Sequence, residues 1–141
     1  MLAKILRNVF LFLSNHRGLN RAAKKWGLRF GASQVVAGNN LDIALQKVKE
    51  LNDRGLLSTM DHLGEFVTTQ EEALEATQSV METLEGIARA KVKSQVSVKL
   101  TQLGLDIDHQ FCFENMRKIL DTAAKTENFV TIDMEDYAHC Q

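Results

Sequence analysis

Residues 95–100 read Gln-Val-Ser-Val-Lys-Leu (QVSVKL), and this short segment decides how the chain folds. It is rich in Val and Leu and carries Lys99 next to its end. Two further segments have the same character: residues 56–61 (LLSTMD) end on Asp61, and residues 129–133 (FVTID) end on Asp133. A short, largely apolar run bounded by polar residues is typical of a strand in a parallel sheet. We therefore predict three strands, each buried on both faces.

Helical patterns fill the intervals between these strands. Residues 41–53 place apolar side chains on roughly one side, with Asn39 or Asn40 as the N-cap and Gly55 as the stop. Thr69 and Glu72 have the spacing of a capping box, which predicts the start of the next helix. In all we predict five helices, at residues 2–14, 20–30, 41–53, 69–90 and 108–125.

Alternating strands and helices imply a parallel sheet, either open and doubly wound or part of a (β/α)8 barrel. No strand is followed by the glycine-rich turn that a dinucleotide-binding open sheet needs. Asp61, Lys99 and Asp133 instead lie 38 and 34 residues apart at strand ends, which is one βα unit per step. Barrel enzymes place functional residues at such positions, so we favour a partial TIM-like barrel with about three βα units. Residues 1–38 form an extra N-terminal helical segment and residues 39–141 the first barrel units of the same domain.

Composition excludes some classes of function. The 17 basic and 18 acidic residues give a net charge of −1, which offers no basic surface for nucleic acid. Residues 1–14 (MLAKILRNVFLFLS) are too short in apolar sequence for a signal peptide and predict a packed helix, with a membrane-surface anchor as the alternative. Cys112 and Cys140 match no metal spacing and are read as free thiols. These features favour a cytoplasmic protein, with a peripheral position at the inner face of the membrane as a variant.

Four separated motifs carry a resemblance to a known family. They read VAG at residues 36–38, DHLGEFV at 61–67, VKLTQLGLD at 98–106 and TIDMEDY at 131–137. In this order and spacing they resemble the monofunctional bacterial proline dehydrogenases, over essentially the whole chain. A complete barrel takes about 250 residues, so the resemblance is to the N-terminal part of such an enzyme.

The resemblance implies an FAD-dependent enzyme that oxidises L-proline to 1-pyrroline-5-carboxylate and passes the electrons to a membrane quinone. The family's substrate-carboxylate lysine falls on Lys99 and its active-site aspartate on Asp133. Met134 falls on the residue that lines the flavin, and Glu65 on the glutamate of an ion pair that closes the pocket. The later motifs, which supply most flavin contacts and the paired arginines, have no counterpart among these residues.

Other readings of the same residues remain. Taken alone, Lys99 is also consistent with a lysine that extends into solvent, and Asp133 with a helix N-cap. Asp133 and Glu135 would suit a Mg²⁺ or Mn²⁺ site, and a barrel enzyme that uses such a metal is the rival interpretation. His139 and Cys140 resemble half of a zinc site but have no second pair of ligands. Our prediction assigns no metal site. The alternative function is a non-catalytic, truncated chain that self-associates through exposed sheet edges or pairs with a complementary chain.

Overall fold

The structure is a computed structural model that describes residue 38 and residues 40–64, 67–134 and 139. The chain divides into two units, Met1–Asn39 and Asn40–Gln141, and the helices and strands described here belong to the second. The two predicted N-terminal helices lie outside the described residues. The described elements follow the order α1 (Leu41–Asp53), β1 (Ser58–Asp61), α2 (Gln70–Ala90), β2 (Ser94–Lys99), α3 (His109–Lys125) and β3 (Val130–Asp133).

Side-chain caps define where the three helices begin. The Asn40 carboxamide oxygen accepts a hydrogen bond from the Ile43 amide at 2.9 Å, which starts α1. Thr69 and Glu72 form the predicted capping box of α2, each bonded to the backbone of the other. The Asp108 carboxylate starts α3 in the same way. The predicted helix positions are therefore confirmed for these three elements.

The three strands form one parallel sheet in the order β1-β2-β3. Each strand begins near the predicted position, but β1 starts at Ser58 rather than residue 56. The Asn52 side chain donates to the carbonyls of Leu56 and Lys93, both at 3.0 Å. This side chain therefore joins the chain entering β1 to the chain entering β2, just before the ladder begins.

The core lies between one face of the sheet and the helices. Val96 and Val98 are each 1% exposed and pack in a single cluster with Leu84 and Ile119, both 0% exposed. Gly86 permits the close approach of α1 to α2, because a Cβ there would stand 3.0 Å from the Leu41 side chain. Apolar side chains from the helices thus cover the valines of the central strand.

The opposite face of the sheet differs from the prediction that both faces are buried. Strand alternation and the pairing register put seven polar residues on it, which we call the polar sheet face: Thr59, Asp61, Gln95, Ser97, Lys99, Thr131 and Asp133. None of these seven is fully buried. The prediction was wrong because the strands are not continuously apolar but alternate, with the valines of β2 on one side only.

No helix within residues 40–64 and 67–134 combines the length and the apolar character needed to cross a membrane.

Candidate functional site

The site lies at the carboxyl ends of the three strands. Lys99 is the last residue of β2, and its direct partner in the ladder is Asp133, the last residue of β3. Asp61 ends β1 and pairs with Ser97, two residues before Lys99 and on the same face. Because β2 is the central strand, Lys99 is the one of the three that has both of the others as neighbours.

The three side chains form an ion cluster. The Lys99 Nζ lies 3.0 Å from Asp61 Oδ2 and 3.3 Å from Asp133 Oδ2, and it donates a hydrogen bond to each. The Lys99 side chain is 18% exposed, that of Asp61 33% and that of Asp133 55%. The ammonium is therefore the best shielded group, and Asp133 is the one most open to an incoming molecule.

The carboxylates keep the lysine charged. The hydrogen bond to Asp61, and then the one to Asp133, raise the pKa of Lys99 above its usual range, while partial burial opposes this rise. A lysine ammonium has three N–H donors, and within the described residues these two carboxylates accept two of them. The third donor can serve an anion placed above the sheet.

Met134 follows this cluster directly in the chain. It is 43% exposed. The loop after β1 contains His62 and Gly64, whose carbonyl oxygens both accept hydrogen bonds from the Gln102 side chain. Glu65, the next residue after Gly64, lies outside the described residues.

The structure describes Asp133, one of the two residues on which the metal alternative rests. Residues 40–64, 67–134 and 139 contain no group of three or more His, Cys, Asp or Glu side chains placed to hold an ion. The Asp133 carboxylate is already bonded to the Lys99 ammonium. The Nε2 of His139 lies 3.0 Å from Asp106 Oδ1, whereas Glu135 and Cys140 lie outside the described residues. Cys112 is buried with a free thiol, as predicted.

Sequence reasoning grouped Asp61 with the other strand ends but gave it no role in the site. The structure makes it the nearer of the two carboxylates to Lys99. The sequence does carry a signal for this contact, because Asp61 and Lys99 are 38 residues apart. That spacing fits one βα unit and predicts that the two residues end neighbouring strands. Strand parity then places Asp61 and Lys99 on one face.

Comparisons with known proteins identify the family. A family profile described as "Proline dehydrogenase" matches residues 44–141, which is more than half of the chain. This chain belongs to the proline dehydrogenase family. It is 47% identical over 137 residues to "Proline dehydrogenase 2" of Bacillus subtilis (strain 168) and 41% identical over 135 residues to "Proline dehydrogenase 1" of the same strain. "Proline dehydrogenase" of Deinococcus radiodurans is 29% identical over 142 residues.

The proline dehydrogenase match covers 97%, 96% and 97% of this chain in these three comparisons but only 45% of each relative. The chain thus spans about half the length of the curated relatives it matches. Among solved structures, proline utilization A from Bdellovibrio bacteriovorus inactivated by N-propargylglycine has a TM-score of 0.71 and 23% identity. That match covers 86% of this chain and 15% of the other, and it shows that the two share a fold.

Proposed function

We propose that this chain supplies part of the substrate site of an FAD-dependent proline dehydrogenase, which oxidises L-proline to 1-pyrroline-5-carboxylate in proline catabolism. The ion cluster of Lys99, Asp61 and Asp133 is the observation that carries the proposal. Since the chain spans 45% of its Bacillus relatives, the remaining part of the site would come from residues beyond those matched.

The cluster is chemically complementary to a zwitterionic amino acid. Proline offers one carboxylate and one basic nitrogen, and the cluster offers one ammonium and two carboxylates. In the proposed arrangement the third N–H of Lys99 binds the substrate carboxylate, while Asp133 accepts a hydrogen bond from the proline nitrogen. Asp61 is bonded to Lys99 and keeps its Nζ in place. This orientation fixes both polar ends of the substrate above the polar sheet face.

The residues at this edge also fit a flavin. A flavin ring is a planar aromatic system with polar rims, and the exposed Met134 side chain offers a polarisable thioether for the ring. Asp133, the preceding residue in the chain, offers a carboxylate for the polar edge of the flavin ring or for polar groups next to that ring. When bound, FAD supplies the two-electron acceptor for the hydride that leaves the carbon next to the proline nitrogen. The nitrogen would also release a proton to solvent as the C=N bond forms, and the exposed Asp133 carboxylate would orient that nitrogen.

The remaining parts of the proposal follow from family membership. Glu65 would belong to an ion pair that closes the pocket, and it directly follows the loop held by Gln102. The parallel sheet would be the first part of a (β/α)8 barrel, in which the polar sheet face turns inward. The enzyme would act in the cytoplasm and pass its electrons to a quinone at the membrane surface.

Substitution of Lys99 tests the proposal. We would fuse residues 1–141 to the C-terminal part of Proline dehydrogenase 2 of Bacillus subtilis, and we call the product the fusion enzyme. In it, Lys99→Met should raise the KM for proline by roughly 30- to 150-fold, because losing one partner of a desolvated charge pair costs about 2–3 kcal/mol. Lys93→Met is the matched control, since Lys93 precedes β2 at the opposite end of the strand. A KM equal to that of the control would remove Lys99 from the substrate site.

A second candidate is a non-catalytic chain that self-associates. Within the described residues β1 and β3 each pair on one side only. Apolar side chains near them are exposed, with Leu57 at 78%, Phe129 at 66% and Ile132 at 46%. Such strands can pair with a second copy. Sedimentation of the 141-residue chain tests this, and a concentration-independent monomer would exclude it.

A further inference from the structure

Gln102 is a buried polar residue at the site that the proposed chemistry does not use. It is 4% exposed and lies in the turn that follows β2, where its backbone amide donates to the Lys99 carbonyl at 3.2 Å. Its side-chain Nε2 donates to the His62 carbonyl at 3.1 Å and also to the Gly64 carbonyl. The residue is thus bonded at one end to the strand of Lys99 and at the other to the loop after β1.

These bonds satisfy the hydrogen-bond donors of the Gln102 side-chain amide. A primary amide has two N–H hydrogens, which is one for each of the two backbone carbonyls that Nε2 contacts in the neighbouring loop. Both acceptors lie within three residues of Asp61, and Gly64 immediately precedes Glu65. A buried amide that holds two carbonyls from another segment fixes the path of that segment, because releasing it would leave buried donors without partners.

We infer that Gln102 is a positioning residue for the substrate site. This inference rests on the proposed function and adds to it a residue that touches neither substrate nor flavin. Gln102 holds residues 62–64 against the turn after β2, and by doing so it keeps the Asp61 carboxylate beside the Lys99 ammonium. It also holds the carbonyl of Gly64, the last described residue of this loop.

The closing experiment combines two measurements on Gln102→Met and Gln102→Glu. Methionine removes both donors at similar volume, and glutamate removes them while keeping the shape of the side chain. Gln110→Met is the matched control, because Gln110 is exposed on α3 and its side chain donates to Glu114, one turn along the same helix, at 3.1 Å. Amide hydrogen exchange in the 141-residue chain reports on the loop, and steady-state kinetics of the fusion enzyme report on the site.

We expect faster exchange in residues 61–64 in both Gln102 variants, with exchange within α3 unchanged. The KM for proline should rise by roughly 10- to 100-fold while kcat changes by less than about 3-fold, because a displaced Asp61 loosens the Lys99 ammonium that binds the substrate carboxylate, and a loss of uniform binding appears in KM. Loop exchange and KM equal to those of the Gln110 control would overturn the inference. Uniformly faster exchange across the chain would also overturn it, by showing a general role in stability. A fusion enzyme that oxidises no proline before any substitution would instead count against the proposed function, while the exchange measurement still decides whether Gln102 holds the loop.

Discussion

Replacing Asp61 by asparagine should show how firmly the ion cluster holds Lys99. The substitution keeps a side-chain oxygen near the ammonium but removes the negative charge. Asp61 Oδ2 is 3.0 Å from Lys99 Nζ, and the two side chains are 33% and 18% exposed. Asp133 is the natural comparison, because its oxygen is slightly farther away at 3.3 Å and its side chain is 55% exposed.

The distances give the size of the effect. At an effective dielectric constant near 20, unit charges 3.0 Å apart attract by ~5.5 kcal/mol before desolvation is counted. Well-exposed pairs retain only about 0.2–1 kcal/mol of such attraction in double-mutant cycles. The Lys99–Asp61 pair is less exposed than that class, so we expect a coupling free energy of about 1–2 kcal/mol. For Lys99–Asp133 we expect less than about 1 kcal/mol.

The assay is a double-mutant cycle in urea denaturation. Asp61→Asn and Lys99→Met are made singly and together, and a second cycle replaces Asp61→Asn by Asp133→Asn. Because the pKa of Lys99 is raised on folding, the coupling is fully present below the ordinary lysine pKa and is lost as pH rises through the folded value. It should therefore be the same at neutral pH and at about pH 9. A negligible coupling to Asp61, or a larger one to Asp133, would refute this account of the cluster.

Three further outcomes concern the packing that supports the site. Thr69→Ala removes the oxygen that accepts from the Glu72 amide, and the free energy of unfolding should fall by about 1 kcal/mol in urea titration; no change would mean that α2 does not depend on this cap. Leu84 is 0% exposed, so Leu84→Ala should lower the free energy of unfolding by about 2–5 kcal/mol. Leu74 is 43% exposed, and Leu74→Ala should lower it by only about 0.5 kcal/mol. Equal losses in the two variants would contradict the burial of Leu84 in the core. Burial raises the pKa of the Cys112 thiol, so peptide-level mass spectrometry should find it labelled far more slowly in the native chain than in urea, and rapid native labelling would contradict its burial.

The helices could be predicted from sequence because their signals are local. The capping box joins residues three apart, and the apolar stripe of each helix repeats within one or two turns. The strand entry was less predictable. Leu56 and Leu57 look like strand residues in the sequence, but the Asn52 side chain takes the Leu56 carbonyl before the ladder starts. That contact also reaches Lys93, 41 residues away from Asn52, and no local pattern indicates it.

The candidate site likewise contains residues that the sequence predicts and one that it does not. The positions of Lys99 and Asp133 at strand ends follow from the βα spacing, and the structure brings them together. The part played by Gln102 could not be predicted, because its acceptors are backbone carbonyls, which every residue has, and their side chains carry no trace of the contact. A long-range bond between a side chain and the backbone becomes visible only once the turn after β2 and the loop after β1 are placed in space.

The core and the site are linked through the register of β2. Val96 and Val98 must face the helices, since each is 1% exposed and together they form the centre of the sheet's apolar side. Because side chains alternate along a strand, burying these two valines puts Ser97 and Lys99 on the polar sheet face. A slip of one residue would turn Lys99 into the helix layer, where a charged group without partners is costly, and would expose both valines. The hydrophobic packing of the central strand therefore selects the face on which the ammonium meets Asp61 and Asp133, and the position of the site is a consequence of how the core is built.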